Sequence, residues 1–360
     1  MRCHLQLSAP GQIRISCTGS RLRAALALGA ALLAFAGCRL RDDRAPFTDS
    51  RPPPGLQARF YPPEGWGWGL VQVGDTPPAR YGVSAPPRRP RADVVILPGY
   101  GEPAEVWFET ARALNARGHV VWVLEPVGQG GSGRYAMPRD LGHADSLQPD
   151  VANLQAFVRS FVRRRPLVLI ASREAAPQAL AALRSGLTVD GAILTSPVLA
   201  PAPTAADPLE ALARLGAWGG RAPGARPRRR EGPDDLALGL THDRRRGALR
   251  LSWQTANPDL RMGGPSRAWR AAFAESVRRA ALPSPSRVPL LVVAPDGAAT
   301  PLCRRRPDCR LLTIAGAGAA LQLERDDLRS PWLAAVSAFV DQRIAGFAAP
   351  AAEATLAPEG

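Results

Sequence analysis

Apolar residues along this chain fall into two alternating rhythms. Short unbroken runs occur at residues 94–98 (VVILP), 120–125 (VVWVLE), 167–170 (LVLI), 192–197 (AILTSP), 289–295 (PLLVVAP) and 310–316 (RLLTIAG). A strand with one wet face alternates apolar and polar positions, whereas an unbroken run marks a strand covered on both faces, as in a central parallel sheet. Between these runs the period lengthens to that of a helix. Residues 150–163 bring Val151, Leu154, Phe157, Val158, Phe161 and Val162 onto one face, and a closing segment does the same with Trp332, Val336, Phe339, Val340 and Ile344. Further helices are predicted at residues 104–117 and in the Ala-rich stretch from Glu174. Strands alternating with helices predict a mostly parallel, doubly wound α/β sheet. Ahead of it, residues 69–73 and 79–83 flank the turn Gly74-Asp75-Thr76-Pro77 and predict a hairpin.

That rhythm breaks once, over residues 199–284, where the Pro-rich PVLAPAPTAADP leads into helical pieces near 209–215 and 269–281 separated by RAPGARPRRREGPDD. An insertion at this point reads as a helical cap over the sheet. The chain therefore divides into residues 1–37, a charged and Pro-rich tether at 38–56, a first core half at 57–198, the cap at 199–284, a second core half at 285–346 and a disordered Ala/Pro-rich tail at 347–360.

Composition narrows the function classes. Hydrophobic residues make up 46% of the 360, enough to bury a full core. All 46 basic residues are arginine and the formal charge is +15. Total absence of lysine beside abundant Ala, Pro and Gly reads as compositional bias of the genome. The arginines are scattered and no aromatic-interleaved basic motif accompanies them, so nucleic acid is not an expected partner. Residues 1–37 hold Arg2, Arg14, Arg21 and Arg23, no acidic residue, and an apolar stretch at 24–37 that is too short to span a bilayer. This is the pattern of a signal peptide. It ends in Phe35-Ala36-Gly37-Cys38, which resembles a bacterial lipobox. Cys38 is the expected lipidated N-terminus, and the expected location is the cell envelope, membrane-tethered and periplasm-facing, with the outer membrane favoured. A plain cleaved signal is the alternative, and the long segment before Arg21 leaves the true start open. In an oxidising compartment Cys303 and Cys309 are candidates for a local disulfide, with two free thiols the alternative. No metal-ligand or cofactor motif is present.

The corner at residues 166–176, PLVLIASREAA, is a buried strand running straight into a helix. With PGYGEPAEVWFETARALNARG, GQGGSGR, GHADS, NPDLRMGGPSRAW and TIAGAGAALQLERD, in that order over about residues 60–345, the chain resembles the bacterial lysophospholipase and monoacylglycerol-lipase-like serine hydrolases (serine aminopeptidase-like) of the α/β-hydrolase superfamily. The resemblance implies the α/β-hydrolase fold with an inserted helical cap, and a Ser, Asp, His triad in that chain order. The histidine takes the serine proton and the acid orients the imidazole. With Ile170 as the last strand residue, the three triad positions fall on Arg173, Ala298 and Ala319.

Substitutes for the triad are sparse. Ser172 and Asp296 are neighbours of the first two positions, but Ser172 is flanked by Ile170 and Glu174 where a tight corner needs small residues. The four histidines are His4, His119, His143 and His242, so none follows the strand at 289–295. The resemblance also implies an oxyanion-type pocket of backbone donors at Gly99, Tyr100 and Glu174, which does not depend on side-chain identity. Arg173 would either project over this pocket, where a guanidinium suits a phosphate or carboxylate, or pair with Glu174 or another acid and plug it. The expectation is a hydrolase fold that has lost catalysis and binds a lipid or a small acyl or anionic ligand. The alternative is an active carboxylic-ester or lysophospholipid hydrolase with a triad displaced onto Ser172, Asp296 and a cap or loop histidine.

Overall fold

The computed structural model describes residues 4–8, 12–16, 45–200, 220–229, 232–235, 237–295, 300–304 and 306–354. They belong to two units, Met1–Leu40 and Arg41–Gly360. In the first, β1 (His4–Ser8) and β2 (Gln12–Ser16) pair antiparallel. Cys38 lies outside the described residues.

The second unit is built on one eight-stranded sheet. β3 (Gly67–Val71) and β4 (Ala79–Ser84) form the predicted hairpin, and β5 (Ala92–Leu97), β6 (His119–Leu124), β7 (Leu167–Ser172), β8 (Gly191–Thr195), β9 (Leu290–Pro295) and β10 (Cys309–Ile314) carry the unbroken apolar runs. The order is β10-β9-β8-β7-β5-β6-β4-β3. β4 runs antiparallel to both β3 and β6, and the remaining pairs are parallel. Successive residues feed opposite layers. Val94, Ile96, Val123, Val168, Ile170 and Ile193 pack with Trp107, Phe108, Trp332 and Phe339. On the other face Val95, Leu97, Leu169 and Leu194 meet Leu154 and Phe157 of helix Gln148–Phe161 and Leu180 and Leu183 of helix Ala176–Arg184. Each large side chain so buried contributes roughly 1.5–3 kcal/mol, which favours apolar residues at consecutive positions in these strands.

Several boundaries differ from the sequence reading. The predicted helix at 104–117 starts as a 3-10 turn, Ala104–Trp107, and becomes α-helical at Phe108–Ala116. Helix Gln148–Phe161 stops before its predicted face ends: Val162 is extended and Phe161 is 37% exposed. The chain must leave the helix there to enter β7, and Pro166 disfavours helical backbone at Arg165. The closing helix runs Asp326–Ala354, through half of the tail expected to be disordered.

Described cap residues form helices Arg244–Gly247, Leu249–Ala256 and Arg267–Ala280, while the piece predicted at 209–215 lies outside the described residues. The third helix starts where the Ser266 hydroxyl accepts the Trp269 N–H, and it packs Trp269, Phe273 and Val277 against Ala144 and Leu147. Arg246, 1% exposed, pins the cap to the core by donating to Glu109 at 2.7 and 2.8 Å, to Asp326 at 2.6 Å and to the Glu324 carbonyl at 2.7 Å. Cys303 and Cys309 are bonded as a disulfide that ties helix Thr300–Arg304 to the start of β10.

Candidate functional site

β7 does not end at Ile170. Ala171 pairs with Leu97 and Ser172 with Thr195, so the strand stays in the ladder until Ser172 and the turn falls on Arg173. Arg173 has φ +46° and leads into the 3-10 turn Arg173–Ala175 and then helix Ala176–Arg184. Left-handed backbone on a residue with a Cβ costs on the order of 1–3 kcal/mol and persists only where the surroundings enforce it. The strained strand-to-helix corner of a nucleophile elbow is therefore present, with an arginine on it. It is also tightly packed: a Cβ on Gly99 would lie 3.2 Å from the Arg173 Cβ and 3.0 Å from Glu174 Oε2.

The Arg173 guanidinium turns onto the protein's own acids. It donates to Glu174 Oε1 at 3.1 Å and lies 3.6 Å from Glu102 Oε1, with its side chain 16% exposed. Burial alone would lower its pKa, and Glu174, Glu102 and Asp235 more than reverse that. Burial raises the Glu102 carboxyl, and Arg173 only partly offsets the rise.

Of the donors expected at Gly99, Tyr100 and Glu174, the first two are already bonded. The Gly99 N–H donates to Glu102 Oε2 at 2.9 Å, and the Tyr100 N–H donates to Glu174 Oε2 at 3.0 Å. The Gly101 N–H donates to Gln129 Oε1 at 2.9 Å. Glu174 enters through its carboxylate, which accepts from the Tyr100 N–H on one oxygen and from the Arg173 guanidinium on the other. Arg173 therefore pairs with Glu174 and lies beside Glu102.

The remaining candidates are scattered. Ser172 is fully buried in β7, and its Oγ has no hydrogen-bond partner among the described residues. Ala319 lies between Gly318, whose N–H donates to Glu324 Oε1 at 2.6 Å, and Ala320, whose N–H donates to the Leu240 carbonyl. His242 comes from the cap to this same loop, yet its Nδ1 is held 2.8 Å from Glu324 Oε1. His143 is buried with Nδ1 3.0 Å from Ser266 Oγ. His119 opens β6 at the far end of the parallel strands, where burial pulls its pKa down to about 4. Asp296 and Ala298 lie outside the described residues. Sequence reasoning missed Glu102, whose place three residues after Gly99 suits a local carboxylate-to-amide bond, and it missed Glu324, which carries no local signal.

Behind the corner a cavity of about 30 Å³, bordered by Leu97, Ala175, Asp150, Asn153 and Gln178, has room for a water. Asp150 accepts the Val127 N–H at 2.9 Å, and burial raises its carboxyl from 3.8 to about 7. Between those values the folded state holds a proton that the unfolded chain has lost, so stability falls as pH rises from about 4 to about 7 and is level above. Asp150→Asn keeps the acceptor for Val127 and removes this dependence. Its melting temperature relative to the wild type is expected to climb across that window; parallel profiles in thermal melts at pH 4, 5.5, 7 and 8 would contradict the assignment.

Residues 88–322 match the family described as serine aminopeptidase, S33. Similar solved structures include a soluble variant of monoglyceride lipase from Saccharomyces cerevisiae, with TM-score 0.58 and 16% identity over 77% of this chain and 96% of that one. A monoacylglycerol lipase from Paleococcus ferrophilus gives TM-score 0.54 and 16% identity over 73% and 98% of the two chains. A thermostable carboxyl esterase from Bacillus coagulans gives TM-score 0.54 and 14% identity over 78% and 99%. At these identities the likeness is one of fold. No curated protein matches the sequence.

Proposed function

The chain belongs to the serine aminopeptidase S33 family and has the α/β-hydrolase fold of lipases and esterases, and from that premise we propose that it is a non-hydrolytic member, a binding or scaffolding protein of the cell envelope. On this reading lipid on Cys38 holds it to the membrane, facing the periplasm, and the cleft under the cap takes a lipid or a small acyl or anionic ligand.

One observation carries the loss of catalysis: the corner where an activated serine is needed holds Arg173, and the Arg173–Glu174–Glu102 cluster occupies the amides of Gly99 and Tyr100. Ester hydrolysis requires an exposed nucleophile, a histidine in reach of it, and free donors about 2.7–3.1 Å from the developing oxyanion. The Nδ1 bond from His242 to Glu324 is of the kind an orienting acid makes, but Ser172 is buried and its Oγ meets no histidine among the described residues, so the displaced triad lacks its nucleophile.

The full chain, shown to be folded by circular dichroism, is expected to take no fluorophosphonate label and to turn over nitrophenyl butyrate and lysophosphatidylcholine on the order of a millionfold more slowly than an intact triad. Labelling that disappears in Ser172→Ala would overturn the reading. For the anchor, Cys38→Ala is expected to move the protein from the membrane to the soluble fraction, and unchanged partitioning would remove the lipid from the account.

A further inference from the structure

The cap and the loop after β5 enclose a cleft of about 840 Å³ that reaches from Tyr100 and Gly101 to the arginine-rich segment of the cap. Among the described residues five arginines border it, Arg226, Arg228, Arg229, Arg250 and Arg270, and no acidic residue does. Arg250 has a counter-ion, since it donates to Asp235 at 2.7 Å. Arg228 is different. Its backbone N–H is fixed by Asp140 at 2.7 Å and its Nη1 makes a long 3.4 Å contact to the Pro233 carbonyl. Its Nε and Nη2 are shielded from solvent and have no hydrogen-bond partner among the described residues. A buried donor on a charged group left unmade is costly, so an arginine held this way is short of an acceptor. Burial lowers its pKa, Arg250 and Arg261 add to that, and Asp235 offsets only part of it.

We propose that this cleft binds a phosphate-bearing ligand, with Arg228 as its principal contact. A guanidinium presents planar forks of N–H donors that match phosphate oxygens, and several arginines around one space favour a dianionic tetrahedral group over a single carboxylate. Arg226 and Arg270 border the same space and add to the field, and Met262 and Leu238 give it an apolar wall on which an alkyl chain can lie. The site deepens the binding reading by naming the ligand's chemistry, and it rests on that reading only in taking the ligand to be held and not hydrolysed.

Isothermal titration of the full chain at low salt, with inorganic phosphate and with dodecyl phosphate below its micelle concentration, tests the site. Both are expected to bind saturably, and dodecyltrimethylammonium is not. Dodecyl phosphate binding tighter than phosphate by an order of magnitude would point to a lipid headgroup as the source, and equal affinities to a soluble phosphate ester. Arg228→Gln is expected to weaken both phosphates by about tenfold or more, with an unchanged melting temperature because no partner of its guanidinium Nε or Nη2 is lost. If that variant melts early, the exposed Arg226→Gln takes its place and is expected to weaken binding as well. No saturable binding of either phosphate, or wild-type binding by folded Arg228→Gln, would overturn the site. Release of inorganic phosphate from dodecyl phosphate would leave the site standing and overturn the non-hydrolytic reading.

Discussion

Arg80→Met is expected to cost about 3–5 kcal/mol of stability, because it leaves two carboxylates buried without their cation. Arg80 sits on β4 with no exposed surface and donates through Nη2 to Glu105 at 3.0 Å and to Glu125 at 2.7 Å, and through Nε to Glu125 at 2.8 Å. Its guanidinium also lies 4.0 Å from the Trp68 ring. Burial pushes its pKa down, and Glu105 and Glu125 together raise it well above the ordinary value. Burial raises the Glu105 carboxyl even with the arginine present, so without it the loss should be largest at neutral pH and shrink as acid protonates Glu105. The damage extends to the site, since Glu125 also accepts the N–H groups of Ala104 and Gly131. Arg80→Lys is expected to rescue little, because a point charge does not reproduce a fork shared between two carboxylates. Urea unfolding of the three proteins measures this; a change below about 1 kcal/mol would place the pair with surface ion pairs and refute its buried, cooperative character.

The fold was legible where burial acts on consecutive residues. β5 to β9 lie under helices on both faces, and that demand writes itself as unbroken Val, Ile and Leu runs. The corner at Arg173 was legible because an unbroken apolar strand runs directly into an Ala-rich helix. What the sequence concealed is charge pairing across long separations. Arg80 finds Glu105 and Glu125 after 25 and 45 residues, and Arg246 finds Glu109 after 137. Lysine-free composition explains why these cations are arginines and says nothing of which ones are buried. The bonding of the loop donors was concealed for the same reason: Glu174 reaches the Tyr100 amide across 74 residues. Backbone donors can be expected from a loop motif, but whether they are free depends on every acid the fold brings near them.

Arg173→Ser is expected to restore the family residue at the corner and still give no esterase. The hydroxyl would stand on the strained φ +46° backbone, but two requirements stay unmet. The loop holding Ala319 has no histidine to take the proton of the new hydroxyl. The Gly99 and Tyr100 amides remain bonded to Glu102 and Glu174, and one oxyanion donor alone is worth about 10²–10³ in kcat. The substitution also removes the only counter-charge within ion-pair distance of Glu102 among the described residues; Glu102 is 3% exposed, so a loss of about 3 kcal/mol is expected, at the low end for a broken buried pair because Arg173 is 16% exposed. With its cation gone, the raised Glu102 carboxyl should rise further, so the lost stability returns as pH falls and it protonates. Adding Ala319→His supplies a base without freeing the donors, and label should still be absent. Fluorophosphonate labelling is expected first when Glu102→Met and Glu174→Ala accompany both changes, because no side-chain oxygen at either position then holds the amides. Strong labelling of Arg173→Ser alone would show the donors to be accessible and would sink the argument that the protein's own acids hold these donors.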